Sequence, residues 1–103
     1  MDNRNSRKYA CPCCGYFTLS DEADNTFQLC PVCYWEDDGV QLKDPMYEDG
    51  ANRVSLVQAK ENFKSFGAIE ERFKKYVRPP LEEEKQVFYI SKDVIKVEKW
   101  RYE

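Results

Sequence analysis

Five cysteines and no histidine set the chemistry this chain can do. Cys11 and Cys14 in "ACPCCGYFTL" form one C-x₂-C pair, and Cys30 and Cys33 in "LCPVCYW" form another. Fifteen residues separate Cys14 from Cys30, within the spacing range of a four-cysteine metal site. Two thiolates three residues apart bracket a tight turn that presents both sulfurs to one ion, while backbone N–H groups of the turn point back at them. Pro12 and Pro31 pre-set the turn, and Gly15 tolerates a positive φ at its exit. Two such knuckles joined by a hairpin make a zinc ribbon with tetrahedral S₄ coordination. Iron of the rubredoxin type suits the same donors, with zinc the preferred expectation. Redox-active C-x-x-C pairs or two disulfides are the competing reading, but a thioredoxin-like motif needs a βαβ context that is absent here. Cys13 is not three residues from any other cysteine and is the spare. It is either a substitute ligand during metal exchange or an inert small side chain, the second being preferred.

A catalytic zinc keeps an open position beside three protein ligands and has a base nearby. Four thiolates close the shell, and no histidine exists to act as base or shuttle. The expectation is a structural metal and no enzymatic activity. Metal binding of this kind contributes about 10–16 kcal/mol in small zinc peptides, enough to fold a ribbon with little core of its own.

The elements that must position these sulfurs divide the 103 residues into four stretches. Residues 1–9 are polar and aperiodic, which predicts a flexible arm. Residues 10–36 carry the knuckles, and the alternating runs "YFTL" and "TFQL" between them predict a hairpin, Phe17 and Leu19 facing Phe27 and Leu29. Residues 37–54 contain "DDG", "DP" and "EDG" turn signals and read as an ordered loop. Ser55 is placed as a helix N-cap with Gln58 completing a capping box. Leu56, Ala59, Phe63 and Phe66 follow at helical spacing, and Gly67 supplies the stop. A shorter helix is expected over 69–77, with Ile69, Phe73, Tyr76 and Val77 on one face and Glu70–Lys74 and Glu71–Lys75 as i,i+4 pairs. Pro79-Pro80 ends this 37–80 unit. Over 81–103, Val87, Ile90, Val94 and Val97 favour a helix beginning in "LEEEK", although "VFYI" and "VIKV" suit strands nearly as well. The fold class expected is a small α+β unit: a four-cysteine zinc ribbon with a hairpin over 10–36, then packed short helices.

Apolar residues are 42% and charged residues 34% of the chain, with a mean hydropathy of −0.79. No apolar run reaches the roughly eighteen residues of a membrane span, and "MDNRNSRKYA" has no apolar h-region, so a reduced cytoplasmic setting is the expectation. The net charge of −3 is unevenly spread. Glu36, Asp37, Asp38, Asp44, Glu48 and Asp49 face only Lys43, whereas Arg72, Lys74, Lys75 and Arg78 lie close together further on.

From "CPCCGY" through "CPVCYWEDD" and "DPMYEDGAN" to "SLVQAKENFKSFGA" and "RFKKYVRPP", the chain resembles the bacterial cysteine-rich CPCC family. The resemblance covers roughly residues 10–80. It implies metal ligands at Cys11, Cys14, Cys30 and Cys33, and makes the acidic turn Trp35–Asp38 and the helix begun by Ser55 part of the family pattern. The family is named for its motif and expected metal binding rather than for an activity. By analogy, some families of small bacterial proteins of this type act as immunity proteins.

Three functions compete. The first is a protein-binding module, an immunity or adaptor protein, that works through Trp35, Glu36, Asp37, Asp38, Asp44, Glu48 and Asp49 against a basic partner. The second is a nucleic-acid-binding ribbon whose Arg72, Lys74, Lys75 and Arg78, near Tyr76, touch phosphates and a base. The acidic balance of the chain and the acidic "SDEADN" stretch weigh against it. The third is thiol redox or metal handling through Cys13, which needs that thiol exposed. The first is preferred. The sequence does not specify an oligomeric state.

Overall fold

The computed structural model describes residues 8–85. Strand β1 (Tyr9–Ala10) pairs antiparallel with β2 (Phe17–Leu19), Tyr9 opposite Leu19 and Ala10 opposite Phe17. Helix α1 spans Gly39–Lys43 and α2 spans Leu56–Phe66. A 3₁₀ turn over Glu71–Tyr76 and a short helix α3 over Glu82–Lys85 complete the order. No helix among the described residues is long and apolar enough to cross a membrane.

The strand pairing differs from the expected hairpin. Phe17–Leu19 turns back on Tyr9–Ala10 across the first knuckle, so Tyr9 belongs to a strand rather than to an arm. The rest of the expected arm, residues 1–7, lies outside the described residues. Phe27–Leu29 pairs instead with the chain beyond the second knuckle. Leu29 bridges Glu36, the Phe27 N–H donates to the Asp37 carbonyl at 2.8 Å, and the Asp37 N–H donates to the Gln28 carbonyl at 3.0 Å. Each knuckle thus sits at the tip of its own short ladder. The reason is Asp37, whose Oδ2 accepts from the backbone N–H groups of Asp24 and Thr26 and from the Thr26 hydroxyl at 2.8–2.9 Å. That carboxylate draws the 24–26 loop toward residue 37 and away from β2. Phe27 and Leu29 are consequently exposed, and Phe27 takes φ 59.

Residues 37–54 contain a helix, α1, that the turn signals do not predict. Asp38 caps α1, its Oδ1 accepting from the Val40 N–H at 2.8 Å, while its Oδ2 accepts from the Ala51 N–H at 2.8 Å. Gln41 is fully buried and its amide nitrogen donates to the carbonyls of Tyr47, Asn52 and Val54 at 3.0–3.1 Å. Asn52, also buried, exchanges two hydrogen bonds with the backbone of Glu36, as a neighbouring strand would. Gly50 fits because a Cβ there would stand 2.6 Å from Asp38 Oδ2 and 2.8 Å from Gln41 Cδ.

Helix α2 begins and ends where expected. The Ser55 hydroxyl accepts from the Gln58 N–H at 3.1 Å, and Gly67 closes the helix in the left-handed region at φ 86. The reciprocal half of the capping box is not made, because the Gln58 amide donates to Asn62 Oδ1. Leu56 and Ala59 are buried, and Phe63 packs at the edge of the core. The expected helix over 69–77 is a 3₁₀ turn. Both ends of the segment are tied to the second knuckle, the Ile69 N–H to the Cys33 carbonyl at 3.0 Å and the Arg78 N–H to the Pro31 carbonyl at 3.1 Å. With three residues per turn, i,i+4 partners no longer align. Glu70 pairs with Arg72 instead of Lys74. Helix α3 begins the helix expected in "LEEEK", and Val87, Ile90, Val94 and Val97 lie outside the described residues.

Candidate metal centre

Both knuckles have the same backbone wiring. In the first, the Gly15 N–H donates to the Cys11 carbonyl at 2.8 Å and the Cys11 N–H to the Tyr16 carbonyl at 2.9 Å. In the second, the Tyr34 N–H donates to the Cys30 carbonyl at 2.8 Å and the Cys30 N–H to the Trp35 carbonyl at 2.9 Å. The residue that leaves each turn is left-handed, Gly15 at φ 82 and Tyr34 at φ 78. Glycine takes that conformation freely. For tyrosine it costs about 1–2 kcal/mol.

The turns bring Cys11, Cys14, Cys30 and Cys33 together with all four sulfurs within 4.8 Å of one another. Cys11 Sγ lies 3.6 Å from Cys33 Sγ, and Cys14 Sγ lies 3.7 Å from Cys30 Sγ. Sulfurs about 2.3 Å from a tetrahedral ion stand about 3.8 Å apart, so the donor set fits an S₄ metal. Cys11, Cys30 and Cys33 are buried and Cys14 is half-buried. The Cys30 sulfur also receives the Thr18 hydroxyl at 3.1 Å and the Val32 N–H at 3.4 Å. Four thiols at these separations cannot all ionise without a cation. Hydrogen bonding from Cys11, then Cys14, Cys33 and Thr18, pulls the Cys30 thiol down. The Cys14 and Cys33 thiols are pushed up, each chiefly through its hydrogen bond with Cys11. An ion at the centre would resolve this competition by holding all four as thiolates.

Cys13 stands outside the cluster and is only 8% exposed, among the core residues beside the knuckles. Burial removes the exposed thiol that redox chemistry through it requires. The expected acidic face divides. Trp35 is 1% exposed, Asp37 fully buried and Asp38 7% exposed, so none of these three can meet a partner. Trp35 fills the core against the cysteines, and the two aspartates tie loops together as described above. The three backbone N–H groups facing Asp38, that of Ala51 foremost, hold its carboxyl below the ordinary value despite burial. Glu36 is half-buried, whereas Asp44, Glu48 and Asp49 are exposed. Of the basic residues, Arg72 is paired with Glu70 at 2.9 Å, and Arg78 holds Glu84 through two 2.9 Å hydrogen bonds. Lys74 and Lys75 are exposed. The buried amides Gln41 and Asn52 carry no signal in the sequence, since nothing in a lone Gln or Asn distinguishes a loop strut from a solvated side chain.

The cysteine-rich CPCC family model matches residues 9–84, and the chain belongs to that family. The match extends past Pro80 as far as Glu84, the residue that binds Arg78. A search of the curated proteins finds no match.

Proposed function

We propose that the four cysteines hold one structural zinc ion, and that the domain stapled by it is a protein-binding module. The observation that carries the metal half is the convergence of four sulfurs on a closed, largely buried site with tetrahedral spacing. Zinc is favoured over iron because a closed thiolate shell without redox demand is its ordinary structural setting. A zinc-ribbon description suits the centre, each knuckle carrying its own strand pair. Cys11, Cys14, Cys30 and Cys33 do no chemistry on a substrate in this reading. A reduced cytoplasmic setting keeps them available as thiolates.

The binding half rests on the exposed residues of segment 40–50. Val40, Met46 and Tyr47 are 55%, 69% and 45% exposed, and Asp44, Glu48 and Asp49 surround them in the sequence. Methionine and tyrosine are enriched in the contact regions of interfaces, and a carboxylate rim favours a basic partner. An immunity or adaptor protein that covers a basic cleft needs a surface of this kind. The buried Gln41–Asn52 network fixes the loop in place before any encounter. Affinity capture from nuclease-treated host lysate tests this, with Asp44→Asn/Glu48→Gln/Asp49→Asn as the comparison. A stoichiometric protein retained by the wild type and lost by the triple variant supports the reading. Equal retention by both proteins sinks it.

A further inference from the structure

The 3₁₀ turn carries a second surface of opposite character beside Tyr34, the second knuckle's exit residue. Tyr34, Phe73 and Tyr76 form one aromatic group. Tyr34 and Phe73 centroids are 4.4 Å apart, and Tyr34 and Tyr76 are stacked at 5.6 Å with an interplanar angle of 24°. Tyr76 is the outermost ring and is 58% exposed. Its inner neighbour is the residue that closes a metal knuckle, so the ring rests on a rigid base. Of the two ammonium groups in the turn, one lies over this ring and the other over Phe66. Lys75 Nζ lies 5.5 Å from the Tyr76 centroid, and Lys74 Nζ lies 5.8 Å from that of Phe66. Among the described residues neither lysine makes a salt bridge, whereas Arg72 and Arg78 are engaged with Glu70 and Glu84. A shallow groove lined by Tyr34, Phe73, Arg72 and Arg53 continues from this platform.

We propose that Tyr76, with Lys74 and Lys75, is a stacking platform for single-stranded nucleic acid, a site independent of the acidic segment 40–50. An exposed ring face is complementary to an unstacked base, which a duplex does not offer, and two ammonium groups are complementary to the flanking phosphates. Glu36 and Glu70 also line the groove, which limits the phosphate contacts to about two and keeps binding weak and salt-sensitive. The carboxylates of an acidic peptide would satisfy the lysines but leave the ring face without a partner.

The test is fluorescence anisotropy of a labelled eight-nucleotide oligouridylate with the full-length, zinc-loaded protein at 20–150 mM salt. Binding is expected to fall with a log–log slope of about −1.4, two single-strand phosphate contacts. Tyr76→Ala should weaken it about tenfold, Tyr76→Phe should retain it, and Lys74→Gln/Lys75→Gln should flatten the slope. All three alter exposed side chains, and equal zinc content by native mass spectrometry verifies that the fold persists. No binding at 20 mM salt would overturn the proposal, as would unchanged affinity in Tyr76→Ala. Equal affinity for a duplex, or equal competition by polyglutamate, would reveal a generic charge effect and overturn it too.

Discussion

The two knuckles share one backbone and one chemistry but differ at the residue that leaves the turn. Gly15 takes φ 82 without strain, and a Cβ there would touch nothing within 4 Å. Tyr34 takes φ 78 at a cost of about 1–2 kcal/mol and offsets it with two ring contacts, each worth about 0.5–1.5 kcal/mol beyond the area they bury. The rest of the chain follows this asymmetry. Ile69 and Arg78 hydrogen-bond to the Cys33 and Pro31 carbonyls, so the second knuckle anchors the helical half. No such backbone tie to the helical half leaves the first knuckle among the described residues; it carries its own strand pair, on which α3 rests, and an edge contact of Tyr16 with Phe63. One knuckle supplies two sulfurs to the cluster, while the other also ties the helical half to it.

The largest way to break this comparison is at the ligands. Cys30→Ser should abolish metal binding and the fold together, because Cys30 is a buried member of the four-sulfur cluster that also receives Thr18 and Val32. The forfeited metal contribution is on the order of 10 kcal/mol. Cys13→Ser, the control, leaves all four clustered sulfurs in place and should keep one metal per chain. Native mass spectrometry reads both, and loss of metal from Cys13→Ser would overturn the ligand assignment.

The next effect lies at the end of the helical half. Glu84 is buried, accepts from Leu81 N–H, and grips Arg78. Breaking a buried pair costs about 3–5 kcal/mol, but Arg78 is 39% exposed, which reduces the expectation for Glu84→Gln to about 1–3 kcal/mol. Arg78 and the Leu81 N–H hold the Glu84 carboxyl below its ordinary value. A depressed folded value gives stability that is present above the unfolded value, near 4.5, and is lost as pH falls through the folded one. The deficit of Glu84→Gln in denaturant melts at saturating zinc should therefore be the same at pH 7 and pH 6. A deficit that shrank across this interval would contradict the depressed value.

How much of this was legible in the sequence follows from what each signal encodes. The four-cysteine cluster and the limits of α2 were readable because C-x₂-C spacing, a serine cap and a terminal glycine are local patterns with one physical solution each. The hairpin was misplaced because alternation gives strand character but not partner, and the partner was chosen by Asp37, eleven residues from Thr26. The acidic turn misled for the same reason. The carboxylates in "WEDD" read as solvated until the N–H groups of Asp24 and Thr26 are seen at Asp37 and that of Ala51 at Asp38. The 3₁₀ turn has helical periodicity in its residues, and only its two ties to the second knuckle reveal the tighter winding.

Effects of similar or smaller size sharpen the comparison most, because they act on the one position where the knuckles differ. Tyr34→Ala keeps the left-handed strain and removes the ring between Phe73 and Tyr76, for an expected loss of about 2–3 kcal/mol. Gly15→Ala adds strain but meets no neighbour, so about 1 kcal/mol is expected. Both should retain one metal per chain, with stability read from guanidinium midpoints at saturating zinc. The direction of the difference is what matters. A larger loss from Gly15→Ala would mean that the turn conformation, rather than the aromatic group, limits stability. The second knuckle would then do no more than the first, and its tyrosine would contribute little to holding the helical half in place.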